Sequence, residues 1–280
     1  TINGYEEVRS FGGEEYENAP RKREYGYLEN PGALDIATLQ WLYGANTEHE
    51  SKDNIYVLPV KTKRGTGWST IWDTGGIDSI EGRNAKSSVT IDLRNANLGN
   101  NGRAGGSISS INGVMGGFTI AHDWDGKTVQ QKPGLCMIEN AVGGPKNDVI
   151  RGNYADNELV GGDGNDHING GNGNDTLIGG RGKDVLKGGP GRDQFVLSKD
   201  MVDEIEDFSF EDGDTITFKD SILKNQNDLQ IIGKLSEGKP SKEFTFVSNT
   251  GELYTSLNDL KNPSRNDTPQ LIAILNTSPF

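Results

Sequence analysis

The feature that most constrains this chain is a nine-residue repeat that runs without a gap from Gly143 to Val196. Its six registers read GGPKNDVIR, GNYADNELV, GGDGNDHIN, GGNGNDTLI, GGRGKDVLK and GGPGRDQFV. A short unit repeated in phase folds as a stack, because each unit can bury its apolar side only against its neighbours. The repeat therefore predicts a solenoid rather than a conventional globular core.

The eighth position of every register is apolar. The residues at this position are Ile150, Leu159, Ile168, Leu177, Leu186 and Phe195. One apolar side chain in nine residues predicts a short strand whose inward residue faces a thin core, followed by a turn.

The turns have the form Gly-x-Gly-x-Asp, in which glycine permits positive φ and backbone carbonyls can point at a common centre. Calcium is a hard cation that takes six to eight oxygen ligands, and carboxylates and carbonyls supply them. The aspartates at the sixth position are Asp148, Asp166, Asp175, Asp184 and Asp193. The other candidate ligands in the turns are Asn157, Gly161, Asp163, Gly170, Asn172, Gly179, Arg181 and Gly188.

The order of the turns predicts how the ions are shared. If successive turns lie on opposite edges of a flattened coil, turns two registers apart stack, and Asp148 pairs with Asp166, Asp166 with Asp184, and Asp175 with Asp193. A site that Asn157 shares with Asp175 should be weaker, because a neutral amide replaces a carboxylate. We expect roughly three to five calcium ions, and without them repulsion between carboxylates should leave the segment disordered.

The repeat also matches the nonapeptide pattern of calcium-binding parallel β-helices, the RTX repeat. A stretch rich in Gly, Asn and Asp can instead be a flexible linker, but six in-phase registers with an apolar eighth position argue against that reading. The predicted fold is mostly β: a right-handed parallel β-roll (β-helix) with flanking β-strands and one N-terminal helix.

The rest of the chain divides into three further segments around the roll at 143–197. Residues 1–53 form a charged lead-in with one amphipathic helix at 33–43, whose apolar face contains Ala33, Ile36, Ala37, Leu39, Leu42 and Tyr43. Residues 54–142 are β-rich, and residues 198–280 form a β segment that caps the roll. Strands are expected at 54–60, 89–93, 118–121, 195–197, 215–218, 244–247 and 271–275.

Charge and composition limit the partners. Lys and Arg total 28 against 41 Asp and Glu, and the net charge of −13 repels nucleic acid while attracting divalent cations. No apolar run approaches the roughly 18 residues of a transmembrane segment. The single cysteine, Cys136, excludes an internal disulfide framework and is expected to be buried. We expect a secreted, extracellular protein in which metal ions replace disulfides as cross-links.

Four stretches together resemble a known family: DIATLQWLYGAN from Asp35, IWDTGGIDSI from Ile71, the segment from Ile138 to Asp166, and DEIEDFSFEDGDTITF from Asp203. They resemble the C-terminal half of the serralysin-type metalloproteases, secreted bacterial metzincins with an RTX β-roll. The resemblance implies further calcium ligands at Asp73, Gly75, Gly76 and Asp78, and at Asp207 and Asp214. It also suggests that TINGYEE at the N-terminus is a remnant of the family's methionine turn.

The resemblance has one decisive gap. A serralysin holds zinc with H-E-x-x-H-x-x-G-x-x-H, and this sequence contains no such motif. Its three histidines, His49, His122 and His167, are too far apart for helical zinc ligation and are expected to be surface or turn residues. No catalytic residue is therefore predicted in this chain.

Three functions fit these features. The first is a non-catalytic, calcium-dependent structural, adhesion or export module, and its partner would be an extracellular protein or a polysaccharide. The second is the C-terminal portion of a zinc metalloprotease whose catalytic domain is missing. The third is a carbohydrate-interacting module in which Trp68, Trp72 and Trp124 are possible stacking platforms.

Overall fold

The computed structural model describes residues 25–43, 46, 48–63, 66–96, 106–122, 136–198, 202–209 and 211–218, together with the backbone of strands at 230–231, 244–247, 252–255 and 271–275. The chain divides into two compact units, Thr1–Gly144 and Pro145–Phe280.

The described part of the first unit contains one helix and eight strands. In chain order they are β1 Tyr25–Leu28, α1 Ala33–Tyr43, β2 Ile55–Val57, β3 Thr66–Ile71, β4 Ser79–Glu81, β5 Val89–Asp92, β6 Ser109–Ile111, β7 Gly117–Ile120 and β8 Asn140–Val142. One sheet has the order β1-β3-β7-β6-β5, in which β1, β3 and β7 are parallel and β6 is antiparallel to both its neighbours. A second set, β2-β4-β8, is entirely parallel.

The second unit contains the predicted parallel β-roll. Its strands are β9 Val149–Arg151, β10 Glu158–Asp163, β11 His167–Asn169, β12 Thr176–Arg181, β13 Val185–Lys187, β14 Gln194–Leu197, β15 Asp203–Ile205, β16 Thr215–Phe218, β17 Gln230–Ile231, β18 Phe244–Val247, β19 Glu252–Thr255 and β20 Leu271–Leu275. Successive strands of the repeat alternate between two sheets, β9-β11-β13-β15-β20 and β10-β12-β14-β16, in which all neighbours are parallel. Antiparallel strands follow at one end of each sheet: β19 and β18 in the first, β17 in the second.

The register of the roll is two repeats, as the turn pattern predicts. Ile168 lies opposite Ile150 and Leu186, while Leu177 lies opposite Leu159 and Phe195. The six residues of the eighth position are all between 0% and 2% exposed. The core of the roll is therefore a single column of apolar side chains on each sheet.

Helix α1 has the predicted bounds, but its predicted apolar face is partly wrong. The buried residues are Ala33, Ile36, Ala37 and Gln40, whereas Leu42 is 55% and Tyr43 83% exposed. Gln40 is buried because its amide lies between the indole N–H of Trp72 and the carbonyl of His122, 3.3 Å from each once its O and N are oriented to satisfy both. A polar contact has thus displaced two apolar residues from the packed face.

The first unit also tests the sequence predictions for the N-terminal lead-in, for His122 and for Cys136. Part of the expected irregular lead-in is strand β1, which pairs in parallel with β3, while residues 1–24, including TINGYEE, lie outside the described residues. His122 is buried rather than at the surface, because its Nδ1 lies 2.7 Å from the carbonyl of Ala96. Cys136 is fully buried, as expected.

Within the described residues, no helix combines the length and the apolar composition needed to cross a bilayer.

The core column of the roll can be tested with Leu177→Ala. Leu177 is 0% exposed, so truncation should leave a cavity and lower the free energy of unfolding in calcium by about 2–5 kcal/mol. Ile178→Ala on the outward side of the same strand is the matched control and should cost about 1 kcal/mol or less. Urea unfolding followed by circular dichroism measures both, and equal losses would contradict the assigned inward face.

Candidate calcium sites

The turns of the roll are stacked by their aspartates. Asp166 Oδ1 accepts the backbone N–H of Asp148 at 2.7 Å, and Asp184 Oδ1 accepts that of Asp166 at 2.9 Å. On the other edge Asp193 Oδ1 accepts the N–H of Asp175 at 2.9 Å. The three aspartate pairs expected from the repeat are therefore brought together, one turn above the next.

Among the described residues of the second unit, five aspartates each have a second carboxylate oxygen that is buried and has no hydrogen-bond partner. This holds for Oδ2 of Asp166, Asp175, Asp184, Asp193 and Asp203. A buried carboxylate oxygen without a donor carries a large desolvation cost that a bound cation would remove. The sites therefore fit a hard cation, because every unsatisfied atom is an oxygen.

Glycine at the first position of the last four registers makes room for that oxygen. A Cβ on Gly161 would collide with Asp166 Oδ2. The same relation holds between Gly170 and Asp175, Gly179 and Asp184, and Gly188 and Asp193. Any side chain at the first position would therefore fill the space beside the carboxylate.

The remaining ligands would have to come from the backbone. In the described part of the chain, no three His, Cys, Asp or Glu side chains converge on one metal position. Glycine keeps the backbone accessible: Gly182 has φ 129°, and a Cβ there would overlap the carbonyl oxygen of Gly164 in the adjacent turn. Two aspartates with several carbonyls would complete a calcium shell of six to eight oxygens.

Burial changes the acidity of the stacked carboxyls. Desolvation raises the pKa of Asp166, Asp175, Asp193 and Asp203 to about 7, and neighbouring carboxylates add to the rise for each of them. Backbone N–H donors oppose the shift only in part. Burial likewise raises the pKa of Asp184. Without a cation, Asp166, Asp175, Asp193 and Asp203 are therefore partly protonated at neutral pH.

The asparagine of the second register is held by hydrogen bonds. Asn157 Oδ1 accepts the N–H of Asn153 at 2.9 Å, and its Nδ2 donates to Asn153 Oδ1 at 3.2 Å. Its own N–H still donates to Asp175 Oδ1 at 2.8 Å, so the stack continues. An amide thus closes this turn without a negative charge, which is consistent with a weaker site.

The third-position residues take part in the turns through their backbone. The side chains of Asp163 and Arg181 are exposed and form an ion pair at 3.9 Å, and the carbonyl of Arg181 accepts the N–H of Gly164 at 2.7 Å. Asn172 is exposed, and its N–H donates to the carbonyl of Asn153 at 2.9 Å.

Sequence reasoning missed Asp203, which continues the first stack. Its Oδ1 accepts the N–H of Asp184 at 3.0 Å. Its spacing of 19 residues from Asp184 breaks the 18-residue period, so the repeat alone does not identify it. Asp214 continues the other stack, since its Oδ1 accepts the N–H of Asp193 at 2.9 Å and its Oδ2 accepts that of Ser209 at 2.8 Å.

Asp207 occupies a different position from the stacked aspartates. Its two carboxylate oxygens accept the N–H groups of Gly188 and Gly189, each at 2.9 Å. Asp207 therefore holds the glycines of the last turn in place.

The first unit contains a second acidic site, at the Asp-x-Gly-Gly-x-Asp turn. Asp73 and Asp78 are both 0% exposed. Asp73 Oδ2 accepts the Tyr56 hydroxyl at 2.6 Å and the Asn54 amide at 3.1 Å. Asp78 Oδ1 accepts the Asn54 N–H at 2.7 Å, while its Oδ2 has no partner.

Both glycines support this turn. The N–H of Gly75 donates to Asp73 Oδ1 at 3.2 Å. Gly76 has φ 117°, and a Cβ there would lie 2.5 Å from the carbonyl of Lys52.

Glu139 joins this acidic site although it lies far away in sequence. Its Oε2 accepts the N–H of Asp78 at 2.8 Å across 61 residues. Burial, supplemented by the other carboxylates, raises the pKa of Asp78 to about 7 and raises that of Glu139. Burial also raises the pKa of Tyr56, whose hydroxyl is bonded to Asp73. The unpartnered Oδ2 of Asp78, buried beside other carboxylates, gives this turn the same unmet demand for a cation as the roll, although the three acidic side chains do not converge on one metal position.

Comparison with known families agrees with this geometry. The family model for the RTX calcium-binding nonapeptide repeat matches residues 142–177 and 169–197. These residues are RTX calcium-binding repeats. The RTX repeats span the stacked turns of the second unit, and they identify calcium as the ion for which the free carboxylate oxygens are suited.

The chain that carries the RTX repeats is also similar to the serralysins. It is 33% identical to serralysin from Proteus mirabilis over 144 residues, which are 48% of this chain and 24% of the relative. It is 34% identical to serralysin C from Dickeya chrysanthemi over 152 residues (51% and 27%), and 34% identical to metallopeptidase AprA from Pseudomonas marginalis over 142 residues (48% and 25%). The chain thus matches about a quarter of the length of these relatives. It is a calcium-binding RTX module related to the C-terminal region of the serralysins.

Neutralising one stacked carboxylate tests the ion positions. Asp175→Asn keeps the shape of the side chain but removes the charge, so the calcium concentration at half-saturation should rise at least about tenfold for that site. The matched control is Asp156→Asn, because Asp156 is exposed and accepts the N–H of Asn174, which an amide oxygen can also do. Isothermal titration with calcium distinguishes the two, and an equal effect of both variants would contradict a ligand role for Asp175.

The raised pKa values predict how the metal-free RTX repeats respond to pH. Asp166, Asp175, Asp193 and Asp203 titrate near 3.8 in the unfolded chain and near 7 in the metal-free fold. The fold therefore retains protons that the unfolded chain releases, so the contribution of these four carboxyls to stability is fully present below 3.8 and is lost as the pH rises through 7.

In EDTA, circular dichroism should show more β-structure at about pH 5 than at about pH 8. Calcium should reverse this order, because it replaces the protons. A metal-free spectrum that loses β-structure on acidification from pH 8 to pH 5 would contradict the assignment.

Proposed function

We propose that this chain is a secreted, non-catalytic module that folds around calcium and serves as a structural, adhesion or export element. The observation that carries the proposal is the column of buried carboxylate oxygens without partners in the roll. The proposed ligands are the stacked aspartates, now including Asp203, with carbonyls of the intervening turns.

Calcium would act as the folding switch. Each stacked pair brings two carboxylates together in a buried position, and their repulsion and desolvation oppose folding until a cation binds. A ligand that binds only the folded state stabilises it in proportion to the logarithm of its concentration. The module would remain unfolded at low calcium and become rigid at about millimolar extracellular calcium.

The assignment as non-catalytic rests on the chemistry of the histidines. The 280-residue sequence has no H-E-x-x-H motif to hold a catalytic zinc. The ring of His49 packs against Trp72 at 5.1 Å, His122 contacts the carbonyl of Ala96, and His167 is exposed on β11. None of the three is adjacent to another histidine in a zinc-binding arrangement.

A second candidate is that the module belongs to a longer metallopeptidase. Relatives named serralysin and metallopeptidase match over only about a quarter of their length. In addition, Leu34, Trp41 and Leu42 of α1 lie at helical spacing i, i+7 and i+8 and are 45%, 68% and 55% exposed. That apolar face suits packing against another domain of the same polypeptide. A reading frame that continues upstream into a zinc motif would establish this candidate, and one that starts near Thr1 would exclude it.

The partner of an adhesion module would be an extracellular protein or a polysaccharide. The indole N–H of Trp72 is satisfied by the Gln40 amide and its ring packs on His49, so Trp72 serves the interior of the first unit. Trp68 is half-buried, and Trp124 lies outside the described residues. Stacking of sugars on tryptophan is therefore not the mode of recognition that these contacts favour.

A calcium titration of the full chain tests the proposed function. In EDTA the far-ultraviolet spectrum should show little β-structure, and calcium should restore it cooperatively by about millimolar concentration. Magnesium is the matched control, because it requires octahedral geometry and dehydrates reluctantly, so it should not restore the fold. A spectrum unchanged between EDTA and millimolar calcium would exclude the proposal.

A further inference from the structure

The surface of the roll differs in charge from the chain as a whole. Between Pro145 and Leu197 there are eight acidic residues, five of which are the buried aspartates of the turns. The exposed acidic residues are Asp156, Glu158 and Asp163, whereas all six basic residues are exposed: Lys146, Arg151, Arg181, Lys183, Lys187 and Arg192. Once calcium neutralises the buried carboxylates, the surface of this stretch is basic although the chain carries −13.

The exposed charges are segregated between the two sheets. On the outer side of β9, β11 and β13, Arg151, Asn169 and Lys187 lie side by side in register, and all three are exposed. On β10 and β12 the exposed charges are Glu158 and the ion pair of Asp163 with Arg181. Over these five strands, the cations outside that ion pair lie on the sheet of β9, β11 and β13, and the remaining anion, Glu158, lies on the other.

Two further lysines extend this row at the turns that precede the strands. Asn147, Asn165 and Lys183 are joined by a ladder in which Asn165 N–H donates to Asn147 Oδ1 at 3.0 Å and Lys183 N–H donates to Asn165 Oδ1 at 2.9 Å. Lys146 precedes Asn147 and is exposed. We call the outer side of β9, β11 and β13 with Lys146, Arg151, Lys183 and Lys187 the basic face.

The cations of the basic face are available for an external ligand. In the described part of the chain, Arg151, Lys183 and Lys187 have no carboxylate within ion-pair distance; the ion pairs there involve Arg83, Arg94 and Arg181. The face ends at β15, where the acidic Glu206 follows in the row of Arg151, Asn169 and Lys187, and Glu204 lies opposite Val185. The ligand would therefore span three strands.

We propose that the basic face of the calcium-loaded roll binds a linear acidic polysaccharide that carries carboxylates, a polyuronate. The inference extends the proposed function and rests on its calcium-dependent folding. Arg151 and Lys187 are two strand spacings apart, about 10 Å, with the amide of Asn169 between them. This alternation suits a chain whose carboxylates are separated by sugar hydroxyls, which the amide can both donate to and accept from.

Spacing and composition argue against other anions. Nucleic acid carries a phosphate about every 3.4 Å along each strand, which requires denser cations than this face offers. A membrane surface or a protein partner would be favoured by exposed apolar groups, but no large apolar side chain is exposed among the described residues of the second unit. The hydrogen-bonded sheet holds the backbone of Arg151 and Lys187 at a fixed separation. The backbone conformational entropy lost on ligand binding is therefore small.

The test is isothermal titration of the calcium-loaded full chain with a short oligogalacturonide at low ionic strength, too short to gel with calcium. Binding should weaken as salt rises, because the contacts are exposed ion pairs. Arg151→Gln combined with Lys187→Gln should weaken binding about tenfold. Lys86→Gln combined with Arg192→Gln is the matched control, since it removes the same charge elsewhere and should leave binding unchanged.

Further variants and ligands distinguish a failure of this inference from a loss of folding. Lys187→Arg keeps the charge and should retain binding, and circular dichroism in calcium confirms that each variant folds. Equal loss in the two double variants would overturn the proposal, as would binding that persists in EDTA. Binding of phosphatidylserine vesicles or dextran sulfate through this face, without binding of the uronate, would also overturn it. If calcium folds the chain and no uronate binds, this inference fails while the proposed function stands.

Discussion

The roll depends on the way Asp166, Asp175, Asp184 and Asp193 each use their two carboxylate oxygens. Oδ1 accepts a backbone N–H from the turn two registers earlier, as in the 2.7 Å bond between Asp148 and Asp166. Oδ2 points into a buried space that glycine leaves open, and it has no donor there. The first oxygen fixes the spacing of the turns, and the second makes that spacing costly unless a cation is present. The same aspartate side chain therefore provides both the hydrogen bond that stacks the turns and the carboxylate oxygen that requires a cation.

This arrangement accounts for how a chain with only 32% hydrophobic residues can hold an ordered roll. The core of the roll contains one fully buried apolar side chain per nine residues, such as Leu177 or Phe195. Each of the two sheets therefore supplies only a single layer of side chains to the core. Calcium ions between the turns would cross-link the roll, as disulfides do in other extracellular proteins, and would require no further burial of apolar surface. The same neutralisation leaves the exposed cations to determine the surface of the folded module, so calcium would change both its rigidity and its charge.

The acidic site of the first unit uses the same principle in a less regular form. Asp78 there also has one oxygen bonded to a backbone N–H and one without a partner. Its neighbours come from separate places in the sequence, Tyr56 and Asn54 on one side and Glu139 on the other. Buried carboxylates that repel one another are stable in such a site only when protonated or when a cation is bound.

The sequence by itself determined the roll, because a strict period leaves one way to bury the eighth residue and to stack the sixth. It therefore determined the pairs Asp148–Asp166 and Asp175–Asp193, the strands of the repeat and the identity of the ion. A separate apolar pattern outside the repeat determined the bounds of α1. The contacts that do not follow a local sequence pattern were decided only by the tertiary structure. Asp203 enters the stack after a 19-residue step, Glu139 reaches Asp78 across 61 residues, and Gln40 replaces Leu42 on the buried face of α1. In each case a hydrogen bond with a residue distant in sequence outweighs the local pattern, and no local pattern encodes that partner.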